Sequence, residues 1–296
     1  MKQSKKILIA NRGVIAIRAL RAARELGYSV ASVYSTIDRD QKHLKLSDEA
    51  ICIGPPETKD SYLNEAAIIS AAELSGADAI YPGFGFLAEN ASFAEKCRES
   101  GFKFIGPDPE VIAIMGDKIK AKELAKSLNI PVVPGYEGEI STENEAIKIV
   151  EEIGYPVIIK ASAGGGGRGM RVVNSSDELW QSIQSAQNEA ELAFGDGKIF
   201  IEKYLKKPRH IEVQIFGNGK GEAVHLFTRD CSLQRKYQKI IEEAPALNID
   251  NQKLEEIQNL SVEACKRLNY EGAGTIEFLY ENNDFYFIEM NTRIQV

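Results

Sequence analysis

The chain has 296 residues, a formal net charge of −7 and 44% hydrophobic residues. This composition is typical of a soluble globular protein and argues against long disordered or fibrous segments. The length predicts two domains, or three small ones, each able to bury a core. The mild acidic excess, with no basic stripe, argues against a general nucleic-acid binder.

The cysteines indicate a reducing compartment. Cys52, Cys97, Cys231 and Cys265 lie far apart, form no CxxC pair, and share the chain with only three histidines. A structural zinc site is therefore not expected, and we predict buried thiols and a cytoplasmic protein. The only early apolar run, residues 7–10, is too short for a signal peptide or a membrane span.

The first part of the chain alternates short apolar runs with segments of helical spacing, which predicts βαβ units and a parallel sheet. Strands are predicted over residues 6–10, 28–34, 79–81 and 102–105, and helices over residues 14–26, 66–74 and 92–99. The turn at residues 10–13 (ANRG) lacks the G-x-G-x-x-G pattern, so we reject a nicotinamide dinucleotide site there.

Proline-containing breaks at residues 106–109 and 130–134 divide the rest of the chain. We predict domains over residues 1–113, 133–204 and 205–296, with a helical linker over residues 114–132. In the middle domain we predict strands over residues 157–160, 171–173 and 199–203 and a helix over residues 177–192. In the last we predict strands over residues 210–216, 223–227, 275–280 and 285–291 and a helix over residues 250–268. The expected fold class is α/β followed by α+β.

Residues 164–169 (GGGGRG) join two predicted strands as a hairpin. Consecutive glycines let backbone N–H groups approach an anion closely, where any Cβ would clash. Lys160 leads into the run, Arg168 lies within it and Lys118 precedes it on a helix start, so we expect phosphate as the anion. Alone, the run would indicate only a flexible hairpin tip. It is not a P-loop, which has a different pattern between a strand and a helix.

Glu277, Glu289 and Asn291 are candidate metal ligands because strand parity can place them on one face of a hairpin. If residues 282–284 make a three-residue turn, Glu277 faces Glu289, and Asn291 lies on the same face. Two carboxylates and an amide oxygen suit Mg²⁺ or Mn²⁺. A two-residue turn would place the carboxylates on opposite faces, and a solvated sheet edge is an alternative for Glu277.

Two further groups of residues are weaker signals. Residues 201–205 (IEKYL) end a strand where backbone groups could contact an adenine edge, although a plain connecting strand is the simpler interpretation. A basic cluster indicates an anionic small substrate, which Arg293 could clamp with its planar fork. The cluster consists of Arg229, Arg235, Lys236 and Lys239, for which surface salt bridges are the alternative. His210 alone indicates only a polar strand residue.

Six stretches of the chain stand out together as motifs: residues 9–13 (IANRG), 81–90 (YPGFGFLAEN), 115–118 (MGDK), 155–170 (YPVIIKASAGGGGRGM), 229–232 (RDCS) and 285–296 (FYFIEMNTRIQV). Together they resemble the biotin carboxylase family of the ATP-grasp superfamily. The resemblance covers essentially the whole chain. It implies a first α/β domain over residues 1–113, an ATP-grasp lid over residues 133–204 and an incomplete ATP-grasp core over residues 205–296.

The resemblance also implies a role for each matching residue. ATP would be bound by Lys118, Lys160, Gly166, Gly167, Glu202, Lys203, Tyr204, Leu205, His210, Gln234, Tyr237 and Glu277. Mg²⁺ or Mn²⁺ would be bound by Glu277, Glu289 and Asn291, and bicarbonate by Lys239, Arg293, Gln295 and Val296. Within these sets, Arg293 and Lys239 would be the catalytic residues.

The implied reaction is the ATP-dependent carboxylation of biotin. Bicarbonate attacks the γ-phosphate of ATP to give carboxyphosphate, and the carboxyl group passes to a ring nitrogen of biotin, mostly through positioning and charge neutralisation. The expected partners are a biotin carboxyl carrier protein or domain, a carboxyltransferase and a second copy of the chain in a homodimer. No nucleic acid or membrane is expected.

The sequence departs from the family in two places. Tyr237 stands where the family usually has His, and the chain stops at Val296, where the family continues with a glutamate base, an arginine at the biotin site and much of the dimer surface. We therefore expect this chain to bind ATP weakly and to carboxylate biotin negligibly. Two alternatives are another ATP-grasp ligase, such as a carbamoyl-phosphate synthetase domain, and a nucleotide-binding fragment without turnover.

Overall fold

The structure is a computed structural model that describes residues 5–136, 138, 140–161, 170–194, 197–235 and 238–296. Within these ranges, the side chains of residues 118, 161, 193 and 194 are not described. The chain divides into two compact units. The first comprises residues 1–130, 210–279 and 287–296, and the second comprises residues 131–209 and 280–286.

The first unit begins with a five-stranded parallel sheet in the order β3-β2-β1-β4-β5. Its strands are β1 (Lys6–Ile9), β2 (Ser29–Ser35), β3 (Glu49–Gly54), β4 (Ala79–Tyr81) and β5 (Lys103–Phe104). Leu8 and Ala10 belong to one buried cluster, whereas Ile7 and Ile9 belong to another, as alternation on a sheet covered on both faces requires. The predicted parallel sheet is confirmed.

Within the described residues up to 130, six α-helices accompany this sheet. They are α1 (Gly13–Glu25), α2 (Lys42–Leu46), α3 (Glu65–Ser75), α4 (Ala91–Glu99), α5 (Pro109–Gly116) and α6 (Lys118–Ser127). Asn64 caps α3 by accepting from the backbone N–H of Ala67, and Asn90 caps α4 by accepting from that of Phe93. α6 begins beside Asp117, whose carboxylate accepts from two N–H groups of its first turn.

The described part of the second unit contains a four-stranded sheet in the order β6-β9-β7-β8 and two α-helices. They are β6 (Gly135–Tyr136), α7 (Glu143–Ile153), β7 (Val157–Ala161), β8 (Arg171–Val173), α8 (Leu179–Phe194) and β9 (Ile199–Lys203). β7 pairs antiparallel with β8, which confirms the pairing predicted for the glycine-containing hairpin. The glycine run itself lies outside the described residues.

A second five-stranded sheet has the order β12-β11-β10-β13-β14. Its strands are β10 (Arg209–Asn218), β11 (Ala223–Arg235), β12 (Gln238–Glu243), β13 (Glu271–Glu281) and β14 (Asp284–Asn291), with α9 (Asn251–Arg267) between β12 and β13. β10 pairs antiparallel with β11, and β11 with β12. A parallel sheet followed by antiparallel sheets confirms the predicted fold class.

The turn between β13 and β14 differs from the prediction. β13 ends at Glu281 and β14 begins at Asp284, so Asn282 and Asn283 alone form the turn. The three-residue turn is therefore wrong. Both asparagines have positive φ, 53° and 68°, which a tight hairpin turn requires and which asparagine tolerates.

All four cysteines are free thiols. Cys97, Cys231 and Cys265 are buried as predicted, whereas Cys52 is exposed. Among the described residues, no helix combines the length and the apolar character needed to cross a bilayer.

Candidate active site

Glu277 on β13 is the centre of a buried charged cluster in the first unit, and the residue is only 3% exposed. Lys239 on β12 donates from Nζ to its Oε1 at 2.6 Å, and Nε2 of His210 on β10 lies 2.7 Å from its Oε2. Asn291, at the end of β14, donates its amide N–H to the same Oε1. Three other strands of the sheet thus bring polar side chains to one carboxylate.

The neighbours of Glu277 keep it ionised. Burial alone would raise the pKa of Glu277, but His210 and Lys239 outweigh burial and lower this pKa to about 2. Burial would likewise lower the pKa of Lys239, but its contacts with Glu212 and Glu277 raise it. The carboxylate and the ammonium group therefore hold each other in their charged forms.

Glu212 on β10 is a second carboxylate in the cluster and is fully buried. Arg229 on β11 donates to its Oε2 from Nη2 at 2.8 Å and from Nε at 3.2 Å, while Lys239 contacts its Oε1. Arg229 also donates to Gln214 Oε1 at 2.8 Å and to Thr275 Oγ1 at 3.2 Å. Hydrogen bonds from an arginine side chain of this kind compensate a buried carboxylate for the water that it loses.

Glu212 was not predicted as a site residue from the sequence. His210, Glu212 and Gln214 alternate with apolar residues, a pattern that by itself indicates only the polar side of a half-buried strand. The useful signal was Arg229, two residues beyond the next predicted strand, because antiparallel neighbours place opposite charges side by side. Arg229, assigned to a substrate-binding basic cluster, is instead bonded within the protein. Arg235 of that cluster is exposed, and Lys236 lies outside the described residues.

Arg293 extends the cluster from Asn291. Its Nη2 donates to Asn291 Oδ1 at 2.9 Å, its Nη1 to the carbonyl of Ile294 at 3.2 Å, and its Nε to Glu89 Oε2 at 2.8 Å. Gln295 accepts from Nη1 of Arg293 at 3.4 Å, but its own buried Nε2 has no hydrogen-bond partner among the described residues. Buried donors are normally satisfied, so this amide is suited to an acceptor supplied by a ligand. Val296 is 90% exposed.

His210 and Gln234, both predicted nucleotide contacts, lie together. Nε2 of Gln234 is 2.8 Å from Nδ1 of His210 and donates to the carbonyl of Cys231 at 2.9 Å. Tyr237, the third predicted contact in this region, lies outside the described residues.

The structure brings together part of the predicted metal set. Glu277 and Asn291 are buried and in contact, whereas Glu289 is exposed. With the two-residue turn, strand parity no longer places Glu277 and Glu289 on the same face. His210, Glu212 and Glu277 offer ligand atoms that all lie within 4.8 Å of one another. Their nitrogen and oxygen donors fit a divalent cation at Glu277.

The remaining predicted nucleotide contacts that can be placed lie in the second unit. Lys160 on β7 donates to buried Glu202 on β9 at 2.5 Å, while Lys203 donates to the carbonyls of Gly154 and Tyr155, each at 2.8 Å. The backbone of Tyr204 donates to the carbonyl of Pro156 at 2.9 Å. Leu205 is partly buried. Gly166, Gly167 and the side chain of Lys118 lie outside the described residues.

Comparison with known proteins assigns the chain to a family. Residues 3–112 match the family model described as "Biotin carboxylase, N-terminal domain", and residues 117–296 match "Carbamoyl-phosphate synthase L chain, ATP binding domain". The chain is also 56% identical, over 98% of its length, to a biotin carboxylase of Pseudomonas aeruginosa. It belongs to the biotin carboxylase family.

Solved structures of biotin carboxylases share the fold. A biotin carboxylase of Campylobacter jejuni, described as a β-γ-ATP complex, matches 99% of this chain with a TM-score of 0.85 and 52% identity. The biotin carboxylase domain of Hydrogenobacter thermophilus 2-oxoglutarate carboxylase, described as a dimer with MgADP, ADP and bicarbonate, matches 100% with a TM-score of 0.83 and 47% identity. The chain spans 65% of the length of the Pseudomonas aeruginosa relative, and 66% and 65% of these two structures.

Proposed function

We propose that the chain serves the ATP-dependent carboxylation of biotin by bicarbonate, the first half-reaction of a biotin-dependent carboxylase. One observation carries the proposal: Lys239 and Arg293 are linked through Glu277 and Asn291, and Gln295 beside Arg293 has an unpartnered buried amide nitrogen. Two cations and an unused donor suit a small anion. The identity to biotin carboxylases supports bicarbonate as that anion.

In the proposed reaction, a bicarbonate oxygen attacks the γ-phosphorus of ATP, the bond from that phosphorus to the bridging oxygen breaks, and ADP leaves. The product is carboxyphosphate. Its carboxyl group then passes to a ring nitrogen of biotin, which loses its proton, and inorganic phosphate is released. Lys239 and Arg293 would orient the bicarbonate and balance the charge that develops, and Gln295 and the backbone of Val296 would complete the bicarbonate site.

For ATP we retain the contacts that the family resemblance implies. Lys118, Lys160, Gly166 and Gly167 would contact the phosphates, Glu202, Lys203, Tyr204 and Leu205 the adenine, and His210, Gln234, Tyr237 and Glu277 the rest of the nucleotide. The contact between His210 and Gln234 supports this assignment. So does the ion pair of Lys160 with Glu202, because it holds the lysine near the end of β7, four residues before the glycine run in the sequence.

Glu277, Glu289 and Asn291 would hold Mg²⁺ or Mn²⁺. When bound, the cation would neutralise charge on the nucleotide phosphates. The buried contact between Glu277 and Asn291 supports two of these ligands. In the structure Lys239 occupies one oxygen of Glu277, so metal binding would replace some of the hydrogen bonds seen here.

The proposal includes partners. Biotin would be presented on a carrier protein or domain, and a carboxyltransferase would take the carboxyl group onward. The dimer named for the Hydrogenobacter thermophilus relative supports a homodimer. Four free cysteines support a cytoplasmic location.

The main alternative is another ATP-grasp ligase, such as a carbamoyl-phosphate synthetase domain. The model matched by residues 117–296 is compatible with either. The match of residues 3–112 to the biotin carboxylase N-terminal domain favours biotin carboxylation.

A graft tests the proposal. The segment of the Pseudomonas aeruginosa relative that this chain matches is replaced by the corresponding residues of this chain, and labelled carboxybiotin is measured from labelled bicarbonate. We expect product that requires both ATP and biotin, and that disappears in the same graft carrying Arg293→Ala. A folded graft that binds ATP but makes no carboxybiotin would contradict the proposal and leave the alternative of a nucleotide-binding fragment.

A further inference from the structure

Glu89 contacts the Arg293 segment from more than two hundred positions away in the sequence. Its Oε2 accepts from Arg293 Nε at 2.8 Å, and its Oε1 accepts from the backbone N–H of Thr292 at 3.3 Å. One carboxylate therefore holds both the side chain of Arg293 and the backbone immediately before it. The proposed reaction gives Glu89 no other role.

These two bonds restrict how Arg293 can turn. A guanidinium group is planar, so fixing Nε sets the plane in which Nη1 and Nη2 lie. In this orientation Nη2 reaches Asn291 Oδ1 and Nη1 reaches the carbonyl of Ile294. The guanidinium group of Arg293 is thereby aligned with Asn291, the residue that contacts Glu277.

The segment that carries Glu89 is itself firmly held. Buried Asn11 donates from Nδ2 to the carbonyl of Pro82 at 2.7 Å and to that of Phe84 at 2.8 Å. Ala88, directly before Glu89, is 1% exposed, and Asn90, directly after it, caps α4. The IANRG and FLAEN stretches, to which the reaction assigns no contact, thus support the loop that bears Glu89.

We propose that Glu89 is a positioning residue that orients the guanidinium group of Arg293 for bicarbonate. The inference rests on the proposed function, because that function makes Arg293 the bicarbonate ligand. The side chain of Glu89 is 40% exposed and that of Arg293 is 19% exposed. Ion pairs of this exposure contribute little to folding stability, so the effect of Glu89 is on geometry.

The first test observes Arg293 directly in the 296-residue chain. Hydrogen exchange of the Arg293 Nε–H is followed by NMR on ¹⁵N-labelled protein, with the signal assigned by its loss in Arg293→Lys. We expect exchange to accelerate by at least about tenfold in Glu89→Ala. Glu89→Gln keeps an acceptor oxygen and should recover part of the protection.

Glu49→Ala is the matched control. The side chain of Glu49 is also 40% exposed and pairs with a single lysine, Lys6, at 3.1 Å. This control should leave the Arg293 signal unchanged, and both alanine variants should melt close to the parent temperature. An Arg293 Nε–H that exchanges equally fast in the parent and in Glu89→Ala overturns the proposal.

A second test uses the graft. Glu89→Ala should lower the rate of bicarbonate-dependent carboxybiotin formation by about a hundredfold, since misplacement by about 1 Å costs that much, while KM for ATP stays constant. Glu89→Gln should restore part of the rate, and a normal rate in Glu89→Ala would overturn the proposal. A graft with no activity at all would contradict the proposed function, and the exchange measurement would still decide the role of Glu89.

Discussion

At the scale of single residues, Glu277 is the position on which the rest of the site depends. It is a buried carboxylate whose charge is maintained by His210 and Lys239, and it links Lys239 to Asn291. Removing one member of such a group leaves the others without compensation, which is costly in a buried setting. Its charge should therefore be visible in the pH dependence of stability.

We expect the free energy of unfolding of the parent to fall relative to that of Glu277→Gln as the solution becomes acidic. The pKa of Glu277 is lowered from 4.5 to about 2 in the folded chain, so its stabilisation is fully present above pH 4.5 and is lost as pH falls towards 2. The difference in unfolding free energy between the parent and Glu277→Gln should shrink by about 1.4 kcal/mol for each pH unit in that interval. Urea unfolding at a series of pH values measures it, and a difference that stays constant from neutral pH to pH 3.5 contradicts the assignment.

Glu289 is the residue whose metal role most needs a test, since it is exposed in the structure. If it binds the cation, Glu289→Gln should weaken Mg-ATP binding by at least about tenfold and leave metal-free ATP binding nearly unchanged. Calorimetry with Mg²⁺ and with a chelator separates the two. Asp284→Asn, which removes an exposed charge from the same strand, is the control, and equal losses for both ligands would exclude the metal role.

At the scale of elements, the strongly patterned segments could be predicted from the sequence. Strand β9 lies close to its predicted bounds, and so do the strands of the parallel sheet except β3. Apolar runs in the sequence identify buried strands of this kind. β12 was missed because it is almost entirely exposed and has no alternation to detect. The β13–β14 turn was misjudged, although the pair Asn282-Asn283 is itself a signal for a two-residue turn.

A substitution at Gly217 on β10 tests how closely this strand packs against the backbone of Tyr270. A Cβ at this position would lie 2.1 Å from the backbone carbonyl oxygen of Tyr270, so the backbone would have to shift. Gly217→Ala should lower the free energy of unfolding by roughly 1–3 kcal/mol. Gly116→Ala is the control, because a Cβ there meets nothing within 4 Å. Equal stabilities of the two variants, measured by denaturant unfolding, would contradict this packing.

At the scale of the whole molecule, the sequence predicted the fold class but not the connections among the candidate site residues. The contact between Glu89 and Arg293 joins residues separated by 204 positions, and no local pattern encodes such a pairing. Glu212 was likewise not predicted, because the sequence of one strand does not show which side chains of other strands pack against its polar face. Residue types can be read along the chain, whereas a charged network is set by how separate strands meet.

The central claim is that bicarbonate attacks ATP at the site of Lys239 and Arg293. The most direct measurement gives the 296-residue chain bicarbonate labelled with ¹⁸O, Mg-ATP and unlabelled water, and determines the isotope content of the inorganic phosphate by mass spectrometry. Because the readout is the origin of an oxygen atom and not a rate, slow turnover suffices. Our account predicts phosphate that carries one oxygen from bicarbonate, and that this label is lost in Arg293→Ala. Phosphate whose new oxygen comes only from water would contradict it.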